Sequence, residues 1–338
     1  METLNFRSLP EKINNDAELE DFLSRPTQDL IEDLTQLEGD IIVLGAGGQL
    51  GPSLARMAKR AAPHKRIVAV SRFSNLVVRE GLESSGVETI ACDLLDHSAV
   101  EQLPKLPNVV CMAGKKHFNL FDMQYAVQGQ EELMWATNTY IPALVAQSFR
   151  ESRIVVVSST GVYPLVPVTS GGLDENDATE TLGEYANSCV GRERIFKFFS
   201  QKFSTPGRLL RLSYAVSLDY SILFDTARRV RDGLPISLQT GYANIIWQGD
   251  AVNQILRSLL HCTCPTSALN IGGPGLVSVR SIAHAFGQKL GNPPVFDSEE
   301  APVDWVTSNL QAEGLFGYPV VPISKMIDWQ ANWIQTRS

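Results

Sequence analysis

The stretch IIVLGAGGQLG, residues 41–51, decides the fold. Ile41–Leu44 is a short, wholly apolar run closed by glycine, the signature of a strand buried on both faces. Gly45, Gly47, Gly48 and Gly51 then form a turn, and Leu54, Met57 and Ala58 fall on the inward face of the helix that follows. Strand, glycine turn and helix in this order read as a dinucleotide site. The glycines allow a tight turn and let the backbone approach a pyrophosphate, and the helix N-terminus offers unpaired N–H groups to the phosphates. Gly45, Gly47, Gly48, Gln49, Leu50 and Gly51 are therefore the expected cofactor-binding residues of this loop.

Working outward, the pattern continues towards the C-terminus. RIVAVSR (66–72), VETIACDLLD (87–96), NVVCMAG (108–114) and RIVVVSSTGVY (153–163) read as further strands with helices between them, among them Glu131–Arg150. Apolar strands alternating with helices predict an α/β fold, a Rossmann-type doubly wound parallel sheet. RLLRLSYAV (208–216) reads as another strand, and the helices after it as a small cap at the C-terminal edge of the sheet. Towards the N-terminus, residues 1–39 read as two short helices. One starts near Asp16 and buries Leu19, Phe22 and Leu23; the other follows Pro26 with Leu30, Ile31, Leu34 and Leu37 on one face. The expected organisation is a helical extension (1–39), a dinucleotide domain (40–205) and a mixed region (206–338) that completes the sheet and caps the substrate site. The extension reads as a packing, lid or dimer element, with a homodimer left open.

Composition excludes several classes. A hydrophobic share of 44% with 20% charge is that of a chain with a sizeable core. The net charge of −8 lacks the basic footprint that nucleic-acid binding needs. No apolar run is long enough to span a bilayer, and the opening METLNFRSLPEK has no signal-peptide character. Five scattered cysteines, at 92, 111, 189, 262 and 264, fit a reducing cytoplasm, the expected location. Cys262 and Cys264 lack a second ligand pair, so no metal is expected.

The end of the second strand bears on the choice of dinucleotide. An acid there would accept the adenosine ribose hydroxyls, whereas this chain has Ser71 and Arg72. A hydroxyl beside a guanidinium suits a 2′-phosphate, so NADP is favoured and NAD is the second choice.

Several segments together resemble the extended short-chain dehydrogenase/reductase family, also called the NAD-dependent epimerase/dehydratase family. They are the Gly45-x-x-Gly48-x-x-Gly51 spacing, CDLLD (92–96), MAGKKH (112–117), ATNTYIPALV (136–145), SSTGVYP (158–164), IIWQGDAV (245–252) and NIGGPGLVSVRSIA (270–283), in family order over about residues 40–335. The resemblance implies that Asp93 and Leu94 lie at the adenine, and that Ala113, Gly114 and Lys116 lie along the cofactor, with Lys116 near the nicotinamide ribose. It also implies that Asn138 stands in the adjoining helix, that Ser159 is the catalytic hydroxyl, and that Tyr185 is the catalytic tyrosine.

Two positions depart from the family. Its lysine, four residues after the tyrosine, lowers the phenol pKa and holds the ribose; here Cys189 stands there, with Arg192 one turn further on the same face. Tyrosine without a neighbouring cation is a poor base at neutral pH. Three readings stand: Lys116 replaces the missing ammonium; another group (Cys189, His117 or Ser159) does the acid–base work; or the protein binds cofactor without turnover. The second departure is Ala243, where relatives handling nucleotide sugars carry a phosphate-clamping Arg. A further C-terminal Arg has no match. The leading expectation is an NADP-linked oxidoreductase acting on a secondary alcohol or ketone of a small sugar or sugar acid, not a nucleotide sugar, with Ser159, Tyr185 and Lys116 catalytic. An epimerase or dehydratase with tightly bound cofactor and a non-catalytic NADP-binding regulator are the alternatives.

Overall fold

The computed structural model describes residues 2–116, 130–181 and 183–337. The apolar runs form strands Ile41–Leu44 (β1), Ile67–Ser71 (β2), Glu88–Ala91 (β3), Asn108–Cys111 (β4) and Arg153–Ser159 (β5). Gly207–Leu212 (β6), Tyr214–Val216 (β7), Tyr242–Trp247 (β8), Ser267–Ile271 (β9) and Leu276–Ser278 (β10) follow. Seven of them make one parallel sheet in the order β9–β6–β5–β4–β1–β2–β3. β1 and β4 are buried along their whole length because helices cover both faces, while β3 at the edge is half exposed. The strand order reverses between β1 and β4, and the crevice at the carboxyl ends of such strands is where these folds bind ligands.

The segment RLLRLSYAV is not one strand. It breaks at Ser213, whose N–H donates to Ile271 O (2.8 Å) and whose hydroxyl donates to Asn244 O (2.8 Å). β6 stays in the main sheet, and β7 leaves to pair with β8, which also pairs with β10. Helices Ile222–Asp232, Val279–Leu290 and Ile323–Thr336 pack around this small sheet as a second hydrophobic core.

Residues 2–39 join the two cores. Asn15 and Thr27 cap helices Asp16–Leu23 and Gln28–Gln36, each accepting a backbone N–H through its side chain. Leu30, Leu34 and Leu37 enter the core of the main sheet, whereas Leu19, Phe22 and Leu23 enter that of the cap. Phe22 meets Trp329 edge-on, ring centroids 5.2 Å apart, and Trp329 meets Trp247 at 5.5 Å. Each such buried ring contributes roughly 1.5–3 kcal/mol relative to exposure, so the extension is a structural tie.

Candidate active site

The glycine turn after β1 is shaped by its neighbours. Gly45 has φ +89°, and a Cβ there would stand 2.7 Å from Ala113 N in the loop after β4. The N–H groups of Gly45 and Ala46 are both taken by Val70 O, at 2.9 and 3.0 Å. Those of Gly47, Gln49 and Leu50 meet no partner among the described residues. Around Gly48 the nearest heavy atom to a built Cβ is 3.6 Å away. The result is a glycine-lined cradle with open donors at the start of helix Gly51–Ala61, the donor set that a pyrophosphate requires. Gln248 braces it from the cap side, its Nε2 donating to Ser53 Oγ at 2.8 Å.

The sheet edge beyond the cradle carries Ser71, Arg72, Asp93 and Leu94. The Ser71 hydroxyl lies against Gly47. Arg72 is exposed, and directly after it Phe73 is buried with φ +48°, a backbone conformation uncommon for a bulky residue. Asp93 is exposed just past β3 and accepts Leu95 N at 3.0 Å, while Leu94 is buried beneath it.

At the other end, Ala113, Gly114 and Lys116 lie in the loop after β4. Asn138 holds this loop: its Oδ1 accepts Lys115 N (2.9 Å), and its Nδ2 donates to Lys115 O (2.9 Å) and to Ser188 Oγ (2.9 Å). The stretch Glu131–Ser148 is helical with a π turn at Ala136–Tyr140. Pro142 has no N–H to return to Asn138 O, and Arg192 Nε donates to that oxygen at 3.3 Å. Asn138 is fully buried, so it acts on the site through Lys115 and Arg192.

Ser159 ends β5, and Tyr185 begins the helix Glu184–Phe203. The Tyr185 phenol feels the Ser159 hydroxyl and the Cys189 thiol beside it. Burial raises its pKa above the ordinary tyrosine value; Cys189 adds to the rise, and the Arg192 charge and the Ser159 hydroxyl oppose it. Cys189, expected among the cofactor contacts, is 0% exposed, packed with Val162, Tyr163 and Val190, and burial pushes its thiol up. It fills space and cannot touch a ligand. Lys116 reaches solvent, yet the surrounding protein lowers its ammonium pKa, with Asp225 of the cap opposing. Among the described residues, Asp225 acts on the charge of Lys116, and Arg192 acts on Tyr185. His117 lies outside the described residues.

The model of the NAD dependent epimerase/dehydratase family matches residues 41–272. The chain belongs to that family. Solved structures agree in fold. A dTDP-glucose 4,6-dehydratase from Streptomyces venezuelae with NAD bound is 18% identical, with a TM-score of 0.73 over 88% of this chain and 97% of that one. A UDP-glucuronic acid 4-epimerase from Bacillus cereus, in complex with UDP-glucuronic acid and NAD, is 16% identical, with a TM-score of 0.72 over 88% and 100%. A UDP-glucose 4-epimerase from Thermus thermophilus with NAD is 17% identical, with a TM-score of 0.67 over 88% and 99%. No curated protein matches the chain in sequence. Among the described residues, no helix is long and apolar enough to cross a membrane.

For a member of this epimerase/dehydratase family, the polar layer beneath the site is a feature that reading the sequence missed. Arg211 of β6 donates to both carboxylate oxygens of Glu193, at 3.0 and 2.8 Å, and to Tyr163 Oη at 2.6 Å. Ser158 Oγ donates to Glu193 as well, at 2.9 Å. The available signal was an arginine inside the apolar run RLLRL, which a buried strand tolerates only with a partner. Ala243 is buried in β8 opposite Val277 and brings no charge to the cleft.

Proposed function

We propose that this family member is an NADP-linked oxidoreductase for a secondary alcohol or ketone of a small sugar or sugar acid. The observation that carries the reading is that Ser159, at the carboxyl end of β5, and Tyr185, at the start of its helix, stand at the same sheet edge as the open glycine cradle. A dinucleotide would rest on Gly45–Gly51, Ser71, Arg72, Asp93, Leu94, Ala113, Gly114 and Lys116. When bound, it supplies hydride acceptance and donation. Ser159 orients the substrate oxygen, and Tyr185 exchanges that oxygen's proton as the carbon–hydrogen bond breaks or forms. Because burial keeps the phenol protonated at neutral pH, proton donation to a carbonyl is its easier direction. Lys116, which is exposed, would lie near the cofactor ribose.

A nucleotide sugar is disfavoured. Ala243 offers nothing to a diphosphate, and Arg280, on the cap helix Val279–Leu290, is engaged by Glu300 at 2.6 Å and by Glu299 at 3.2 Å. The second reading, an epimerase or dehydratase that returns the hydride on retained cofactor, is favoured by the NAD-bound epimerases and dehydratases of like fold. Native mass spectrometry followed by a sugar and sugar-acid screen at the nicotinamide absorbance tests both. Net NADPH consumption supports the oxidoreductase; co-purified dinucleotide with product but no net consumption supports the second reading. A saturable thermal shift with a UDP- or dTDP-sugar would overturn the substrate class.

A further inference from the structure

Arg192 is 5% exposed and has no carboxylate within ion-pair distance among the described residues. Its neighbour Glu193 is already bound on both oxygens by Arg211. A buried charge without a counter-charge is costly, and proteins keep one only where something else answers it. The guanidinium is held entirely by neutral acceptors: Val157 O at 2.7 Å, Asn138 Oδ1 at 2.7 Å and Asn138 O at 3.3 Å. These acceptors fix it at the carboxyl ends of β4 and β5, where a Cβ on Gly114 would lie 2.9 Å from its Nη2.

Helix geometry explains why it points there. Long side chains lean towards the N-terminus of their helix and over the residue three or four positions earlier. Arg192 therefore covers Cys189, the place of the missing lysine, and lies two turns from Tyr185 on the same face. Among the described residues, its charge acts against the effect of burial on Tyr185, Cys189 and Cys111. Both thiols are sealed, whereas Tyr185 is half-buried.

We infer that Arg192 is the positioning cation of the site: it stabilises the Tyr185 phenolate in place of a lysine at 189. The inference rests on the dehydrogenase reading of the cleft. The other described groups around the phenol do not take this part. Ser159 and Cys189 are neutral, and Glu184 is bonded to Trp135 Nε1 at 2.5 Å. Lys116 is coupled to Asp225, and Arg211 and Glu193 neutralise each other.

The test replaces Tyr185 with difluorotyrosine in the full chain and follows its ionisation by fluorine NMR, with and without NADP⁺. Arg192→Gln should raise the midpoint by roughly one pH unit or more, the usual effect of losing an adjacent opposite charge. Arg192→Lys should raise it less, and Cys189→Lys added to Arg192→Gln should bring it back. A folded Arg192→Gln protein with an unmoved midpoint overturns the inference, because a purely structural clamp predicts that result. If Arg192→Gln does not fold, Lys116→Met decides. An unchanged midpoint supports Arg192, and a rise of the same size assigns the cation to Lys116. Failure of the unmodified protein to bind NADP⁺ would sink the dehydrogenase reading, while the midpoints in free protein still decide this one.

Discussion

The glycine cradle and the Tyr185 helix share one sheet edge and are built on opposite principles. The cradle works by omission: glycines keep side chains back, N–H groups are left open, and the backbone itself would meet a dinucleotide. The helix works by enclosure. Arg192, Glu193, Cys189 and Ser188 are all buried on it; strand residues match Arg192 and Glu193, and Asn138 of a neighbouring helix matches Ser188. A site made of backbone tolerates drift in sequence so long as its glycines remain. A site made of side chains can relocate a charge along a helix face, as we infer for Arg192 in place of a lysine at 189.

Breaking the enclosed half should cost most. Glu193→Gln leaves the Arg211 guanidinium buried with a weakened partner, and truncating one side of such a pair typically costs about 3–5 kcal/mol. Denaturant unfolding should show that loss; a change near zero would mean that water reaches the pair.

Removing the reacting group should spare the cradle. Tyr185→Phe should lower turnover by about 10²-fold or more, the scale of general acid–base catalysis, while dinucleotide affinity holds. In the unmodified protein, alcohol oxidation should climb with pH through the alkaline range and carbonyl reduction should fall, because the phenol titrates above its ordinary value. A flat oxidation profile would remove Tyr185 from the proton step.

The cap side offers a comparison in stability. Asp250 is buried and accepts Val320 N and Val321 N, both at 3.0 Å, and burial raises its pKa to about 6 from an ordinary 3.8. A carboxyl raised on folding favours the folded state while protonated, so its contribution is lost as pH rises from about 4 to about 6. At about 1.4 kcal/mol per unit, that is roughly 2–3 kcal/mol. Asp250→Asn should flatten this part of the stability profile, as equilibrium unfolding at several pH values can show.

How much of this was legible in sequence follows the same division. The strands of the main sheet announce themselves as apolar runs, and the turn as glycines, because both depend on residue type at adjacent positions. The break at Ser213 was hidden: RLLRLSYAV is uniformly strand-like, and only pairing with Ile271 and Asn244 divides it. The π turn at Asn138 was hidden too, although Pro142 marked a carbonyl without a helical donor. Arg192 was visible on the face of Tyr185, but nothing local told that its guanidinium turns inward. The extension read as a peripheral packing element because helical periodicity shows that a face is buried, not that two helices enter different cores.

The smallest effect sharpens the cofactor end. Arg72→Ala should weaken NADPH far more than NADH, by about 1.5–3 kcal/mol if a charged contact to the 2′-phosphate is lost. Equal losses for the two dinucleotides would mean that Arg72 makes no contact with the 2′-phosphate.

The most direct test of the account is calorimetric titration of the unmodified chain and of Gly48→Val with NADPH. Gly48 has room for a side chain within the protein, its nearest neighbour being 3.6 Å from a built Cβ, so the variant should keep its thermal midpoint while the branched side chain fills the cradle. The account predicts one NADPH bound per unmodified chain and none by the folded variant. Undiminished binding by Gly48→Val, or none by the unmodified protein, would contradict a dinucleotide seated on residues 45–51.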